Sequence, residues 1–346
     1  MTVYKLKVLG QVFVLSIILS FINSPAHANS CLRPYLDPEK IKSTGTINVQ
    51  ILFVKYPDSP KKSKGYIKDQ LSMLDLDVVS DYFKQSSYGK TKIKFRIHNS
   101  WINMPNNSYD YRMYENSQPD WREIEQNYFR AVLSAADPKI DFSKSDVVYI
   151  VSDPDLYPTY VQLRDFQVAD GKSLKAVVYN QTSAFIATHE LLHTLGLKDL
   201  YGNFASQLGT PGGMEQFSIM SQAQTGTNLT GYEKYSLGWI GSKDVICQES
   251  GTQKIKLNSL DSKGTKLVLL PLNDQEMLGV EYRKNEKVDK YLGSTGVLVY
   301  LIKQNAQASI NGTGEPMVPI YFGNKGDVDY SGVKISIKKN NVTIGR

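Results

Sequence analysis

The chain has 346 residues, 41% hydrophobic and 21% charged, enough for one large core or two modest ones and too balanced for a disordered or low-complexity polymer. With 40 Lys and Arg against 34 Asp and Glu the net charge is +6, part of it from Lys5 and Lys7, too weak and too dispersed for a nucleic-acid surface. With 14 prolines, 25 glycines and no internal repeat, collagenous, linker-rich and solenoid architectures are excluded.

Residues 1–7 carry two lysines and no acid, 8–22 are an apolar-rich run, and Pro25-Ala26-His27-Ala28 ends in small residues. This predicts a secretory signal peptide (1–28) cleaved after Ala28. The run is shorter than the roughly 20 apolar residues that span a bilayer, so no transmembrane segment is expected after cleavage. A short N-terminal segment, 29–45, follows. Export makes Cys31 and Cys247, the two cysteines of the chain, candidates for a disulfide.

Residues 46–56 (TINVQILFVKY) are apolar and β-branched enough for a buried strand, and 91–101 alternates Ile93, Phe95 and Ile97 with Lys92, Lys94 and Arg96. Between them 78–85 predicts a short helix running into the Ser87-Tyr88-Gly89-Lys90 turn. A longer helix is predicted over 120–136, capped by Asp120 and stopped by Asp137-Pro138. Strands over 146–152 and 174–179 come next, and this alternation of strand and helix signals α/β or α+β layers. Beyond residue 243 the runs KIKLNSL, TKLVLLPL, MLGVEYR, GVLVYLI and GVKISIKK predict a smaller all-β, sandwich-like domain (243–346). Trp239-Ile240-Gly241-Ser242 marks the boundary without a flexible linker, so the two units are expected to pack closely.

Histidine is scarce, yet two of the four share one pentapeptide, His189-Glu190-Leu191-Leu192-His193. Residues 182–195 read as a helix that Thr182 or Ser183 can cap, so His189 and His193, at i and i+4, leave it on one face. Two imidazoles so placed converge on a metal. Glu190 can reach a water on that metal without being a ligand, and zinc lowers the pKa of such a water to about 7, within range of a carboxylate base. His98 lies in an alternating strand far back in the chain, which leaves the carboxylates to complete the site. Gly196 can leave the helix at positive φ, so that Asp199 swings back towards the metal. Glu215 and Glu233 are the alternatives, as in zinc proteases whose last carboxylate comes from a later helix. The string HExxHxxGxxD is the metzincin pattern with Asp where many members have His, and Met220 is placed for a Met-turn.

HELLHTLGLKDLY at 189–201, FSIMS at 217–221 and YEKYSLGWI at 232–240 together resemble the immune inhibitor A family of bacterial secreted metallopeptidases. Its members carry HExxHxxGLxDxY, a W/F-S-x-M-S turn and an E-K-x-x-L-G-W segment, and weaker agreement extends over 46–302. The resemblance implies an α+β fold: a metzincin-like catalytic domain (46–242), with a twisted mixed sheet and an active-site helix, followed by the smaller β domain. It implies His189, His193 and Asp199 as zinc ligands, Glu190 as general base and Met220 as the Met-turn. Family members carry a long prosegment, for which 29–45 leaves no room, so that form of latency is not expected.

Two weaker signals remain. Asp153 and Asp155 in SDPDLY could offer oxygens to Ca²⁺, alongside the similar stretch from Asp199 to Asn203. Tyr201, Tyr232 or Tyr235 could donate to an oxyanion. The reading is a secreted zinc endopeptidase acting on proteins or peptides. The alternatives are an exported, non-catalytic binding or adhesion protein that keeps the fold, and zinc hydrolysis of a non-peptide substrate. Glu190 argues against the first, because a binding module needs no general base.

Overall fold

The computed structural model of the chain describes residues 31, 35–61, 65–111, 121–153, 160–168, 170–171, 173–179, 183–201, 213–304 and 316–346. The signal peptide, the Asp120 cap, Thr182, Asp155 and Asn203 lie outside the described residues. Among those described, no helix is long and apolar enough to cross a membrane.

The fold is α+β. β1 (Gly45–Lys55), β2 (Thr91–Asn103), β3 (Val147–Asp153), β4 (Tyr160–Gln167) and β5 (Ser173–Tyr179) form one sheet in the order β2-β1-β3-β5-β4. The first four in that order run parallel, and β4 is antiparallel to β5. Parallel neighbours need crossovers whose helices cover both faces, which is why β1 and β3 are buried along nearly their whole length. Their side chains divide by parity. Leu52, Val54, Val148 and Ile150 cluster with Phe129 and Val132 of α3 (Trp121–Ala136). Ile51, Phe53, Val147 and Tyr149 cluster with Val79 and Phe83 of α2 (Leu76–Ser86) and with Leu191 and Leu192 of α4 (Ala184–Thr194). The helix of the HExxH string is therefore fixed by a core face of its own.

α1 (Tyr66–Leu74) precedes α2, and Asp75 between them, at φ 43°, accepts from the Val78 amide as the cap of α2. On the edge strand β2 the expected alternation holds through Ile93 and Phe95, which pack on the core, but Ile97 is 37% exposed. The ladder with β1 jumps from Ile51↔Ile97 to Phe53↔Trp101, and this bulge resets the pleat.

The remaining strands are β6 (Val245–Cys247), β7 (Thr252–Lys256), β8 (Leu267–Pro271), β9 (Glu276–Arg283), β10 (Gly296–Lys303), β11 (Met317–Gly323), β12 (Lys325–Tyr330), β13 (Val333–Lys338) and β14 (Asn341–Gly345). They form two sheets, β11-β10-β9-β8-β6 and β12-β13-β14-β7. Val268, Val280 and Val299 of the first share a core with Ile335, Ile337 and Ile344 of the second. β13 alternates buried and exposed residues, as a sheet with one wet face does, whereas β9 and β10 are buried on both faces. Met277, Leu298, Tyr300 and Ile302 account for the second face: they belong to the same core cluster as α2 and α4. Trp239, 1% exposed, sits in that cluster and donates from its indole N–H to the Ser43 carbonyl at 2.8 Å. Cys31 and Cys247 are joined by a disulfide that closes 216 residues.

Candidate metal centre

α4 ends in a Schellman arrangement. The Gly196 amide donates to the His193 carbonyl at 2.8 Å and the Leu197 amide to the Leu192 carbonyl at 3.4 Å, with Gly196 at φ +93°. Only glycine takes that conformation without strain, and it turns the chain back along the helix. The segment after the turn is then laced to the loop carrying Met220. The Leu200 amide donates to the Met220 carbonyl and the Met214 amide to the Leu200 carbonyl, both at 2.9 Å.

These two devices bring His189, His193 and Asp199 together. The imidazole Nε2 atoms are 3.1 Å apart, and Asp199 Oδ1 lies 3.2 Å from His189 Nε2 and 3.1 Å from His193 Nε2. His189 Nδ1 is 2.9 Å from the Ile219 carbonyl and His193 Nδ1 is 2.7 Å from the Leu197 carbonyl. A carbonyl only accepts, so in the neutral rings these bonds put the proton on Nδ1 and leave a lone pair on each Nε2. Asp199 Oδ1 is buried and accepts no hydrogen bond, although two ring nitrogens face it at ion-pair distance. Buried orphan acceptors are rare. Tetrahedral ligands on an ion at about 2.0–2.1 Å stand about 3.3 Å from one another, close to the spacing of these three atoms, and the set of two nitrogens and a carboxylate oxygen suits zinc. Among the described residues this is the one group of three such side chains that could hold a metal ion.

A scan against protein-family models finds no match, and a search of curated proteins finds none. Solved structures that match include two distant likenesses. The metalloproteinase-II of Bacteroides fragilis is 16% identical with a TM-score of 0.28, over 62% of this chain and 60% of that one. Wild-type OgpA of Akkermansia muciniphila is 11% identical with a TM-score of 0.33, over 88% of this chain and 93% of that one. At those scores neither establishes a common fold.

Burial shapes the electrostatics. Asp199 is held well below the usual carboxylate range: burial works to raise it, and the imidazoles of His193 and His189 overcome burial. His193 is pushed up to about 9; burial opposes its charge and the Asp199 carboxylate more than offsets that. Glu190, 6% exposed, is raised by burial, with His193 and His189 pulling it back.

The structure separates the other candidates from this group. His98 bonds Ser100 Oγ at 2.7 Å on β2. Glu215 stands in a short 3-10 turn, Glu215–Phe217, ahead of Met220. Glu233 is fully buried in α5 (Gly231–Ser236), and its carboxylate accepts from the Thr230 amide at 2.7 Å, the Thr230 hydroxyl at 2.8 Å and the Ser218 hydroxyl at 2.9 Å. Ser218 Oγ in turn accepts from the Met220 amide at 3.1 Å, so Glu233 braces the turn that presents the Ile219 carbonyl to His189. Asp153 is buried at the end of β3 and joins no group of metal-binding side chains among the described residues.

The three tyrosines that could donate to an oxyanion have different settings. The Tyr201 hydroxyl donates to Asp199 Oδ2 at 2.8 Å. Tyr232 is buried, stacks edge-on with Tyr35 at 5.3 Å and accepts at its hydroxyl from Gln304. Tyr235 is 8% exposed and packs in the core. Sequence reading missed Tyr201 as the partner of Asp199, though two residues apart on extended chain share a side. The carbonyls of Leu197 and Ile219 leave no side-chain signal at all.

Proposed function

We propose that the chain is a secreted zinc endopeptidase, with 46–242 as its catalytic unit and 243–346 as a β unit, of the kind its motifs resemble in the immune inhibitor A family. The observation that carries the reading is the triangle of His189 Nε2, His193 Nε2 and Asp199 Oδ1, with both Nδ1 atoms committed to carbonyls. His189, His193 and Asp199 would hold the zinc, which when bound supplies a Lewis acid and lowers the pKa of water. The chain's own residues do the rest. Glu190, next to His189 on the helix, takes a proton from the attacking water at a carboxylate oxygen and delivers it to the leaving amine nitrogen. Burial raises Glu190, which makes it a stronger base than a solvated carboxylate and suits it to both transfers. Tyr201 holds Asp199 through Oδ2, leaving Oδ1 to face the histidines.

Two further features support a peptide substrate delivered outside the cell. β4 is the edge of its sheet and packs beside α4, and a sheet edge takes an extended peptide by main-chain pairing. The leader-like 1–28 and the disulfide both fit an oxidising compartment. Elemental analysis tests the metal assignment: purified protein should hold about one zinc per chain and His193→Ala should lose it. Full zinc in His193→Ala would mean the site is misassigned.

A further inference from the structure

We infer that residues 35–41 form a strap that positions Asp199, and that the Cys31–Cys247 disulfide, just upstream, holds the strap in place. The inference rests on the metal centre proposed above. His189 and His193 stand on a helix fixed by a core face, but the carboxylate comes from the chain beyond Gly196, and that turn is braced from outside. A helix leaves its last carbonyls without intrahelical partners. The Schellman bonds use those of Leu192 and His193. The strap takes the carbonyl of Thr194, to which the Ile41 amide donates at 3.0 Å, and that of Gly196 just past the helix, to which the Asp37 amide donates at 2.9 Å. The contact has no slack, since a Cβ on Gly196 would lie 2.6 Å from Lys40 Cδ and 3.0 Å from the Asp37 nitrogen.

The strap meets the residue before Asp199 as well. Tyr35, 2% exposed, packs on Tyr232, and Lys198 Nζ stands 5.7 Å from the Tyr35 ring centre. Burial first, then Glu233, Tyr232 and Asp199, push the Tyr35 phenol upward.

The strap belongs to no sheet, and segments of that kind fray unless tied down. β1 ties one end at Gly45, and the disulfide ties the other to β6. With the bond removed, that end keeps the packing of Tyr35 on Tyr232 but loses its covalent tie. The Asp37 and Ile41 amides then leave their carbonyls part of the time, and the Gly196 turn opens with them.

The test is zinc affinity, read by competition with a chromophoric chelator, together with amide hydrogen exchange. The variants are Cys31→Ser/Cys247→Ser and Asp37→Pro, each checked by circular dichroism. Asp37→Pro deletes the amide that bonds Gly196 at an exposed position, and Asp37→Ala keeps it. Both strap variants should bind zinc about tenfold more weakly or worse, the usual scale for lost support behind a ligand, while Asp37→Ala matches wild type. The Ile41 amide should exchange faster in the double serine variant. Wild-type affinity in Asp37→Pro overturns the role of the strap. A double serine variant whose Ile41 amide stays protected overturns the role of the disulfide. Should that variant not fold, folded wild-type protein whose disulfide has been reduced takes its place, and an Ile41 amide that stays protected there overturns the role of the disulfide in the same way. Wild-type protein that takes up no zinc overturns the metal centre itself, and the strap proposal with it.

Discussion

Proton and zinc compete for the same Nε2 atoms. His193 in the metal-free chain titrates at about 9, raised by Asp199 against burial. Below that value the ring is charged and zinc must displace its proton; above it the lone pair is free. Apparent zinc affinity should therefore rise about tenfold per pH unit from pH 7 towards 9 and then level off, with about one proton released per zinc near neutrality. Calorimetry in buffers of different ionisation enthalpy reads the proton directly, and a flat affinity across that window would contradict the assignment. The carboxylates make a second contrast. Asp199→Ala should keep the fold and lose zinc binding by roughly a hundredfold. Glu233→Ala should weaken zinc binding far less than Asp199→Ala does and lower the Tm, because it leaves the Thr230 amide and the Ser218 hydroxyl without their acceptor. If Glu233→Ala empties the site while Asp199→Ala leaves it full, the third ligand comes from the later helix.

At the scale of elements, the turn after α4 governs whether Asp199 can face the helix. Gly196→Ala meets both a positive φ and the strap, so it should cost about 2 kcal/mol, measured as a lower denaturant midpoint. A variant as stable as wild type would show that the turn relaxes freely. α4 and its two histidines were legible because i, i+4 spacing and the Gly196 stop are local signals. β4 was not. Its alternation breaks at Arg164-Asp165, where the ladder with β5 shifts between Leu163 and Phe166. β12 escaped notice because it buries Val328 and almost nothing else, its place being set by pairing with β13. The Glu233–Ser218–Met220 brace was equally hidden, since only folding brings α5 beneath the Met220 turn.

For the whole molecule, the β unit is part of the site's foundation. Arg283 on β9 is fully buried. It donates to the Phe217 carbonyl at 2.8 Å, just ahead of the Met220 turn, and to the Asn228 carbonyl at 3.3 Å, while pairing with Asp289 and Glu281. Leu267, Leu298 and Ile302 carry the core across from α4's side. Each such side chain is worth about 2 kcal/mol when buried, so these three alone match the lower end of the roughly 5–15 kcal/mol by which a typical protein is stable. A fragment ending at residue 242 should therefore not fold, and the full chain should melt in one calorimetric transition. Two separate transitions would mean that the units are independent. The most direct test of the central claim is mass spectrometry of a peptide library incubated with zinc-loaded wild-type protein and with zinc-loaded Glu190→Gln. Cleavage by the wild type, with loss of about 10³-fold or more in the variant at equal zinc content, is the predicted result. No cleavage by the zinc-loaded wild type, or equal cleavage by both, would contradict it.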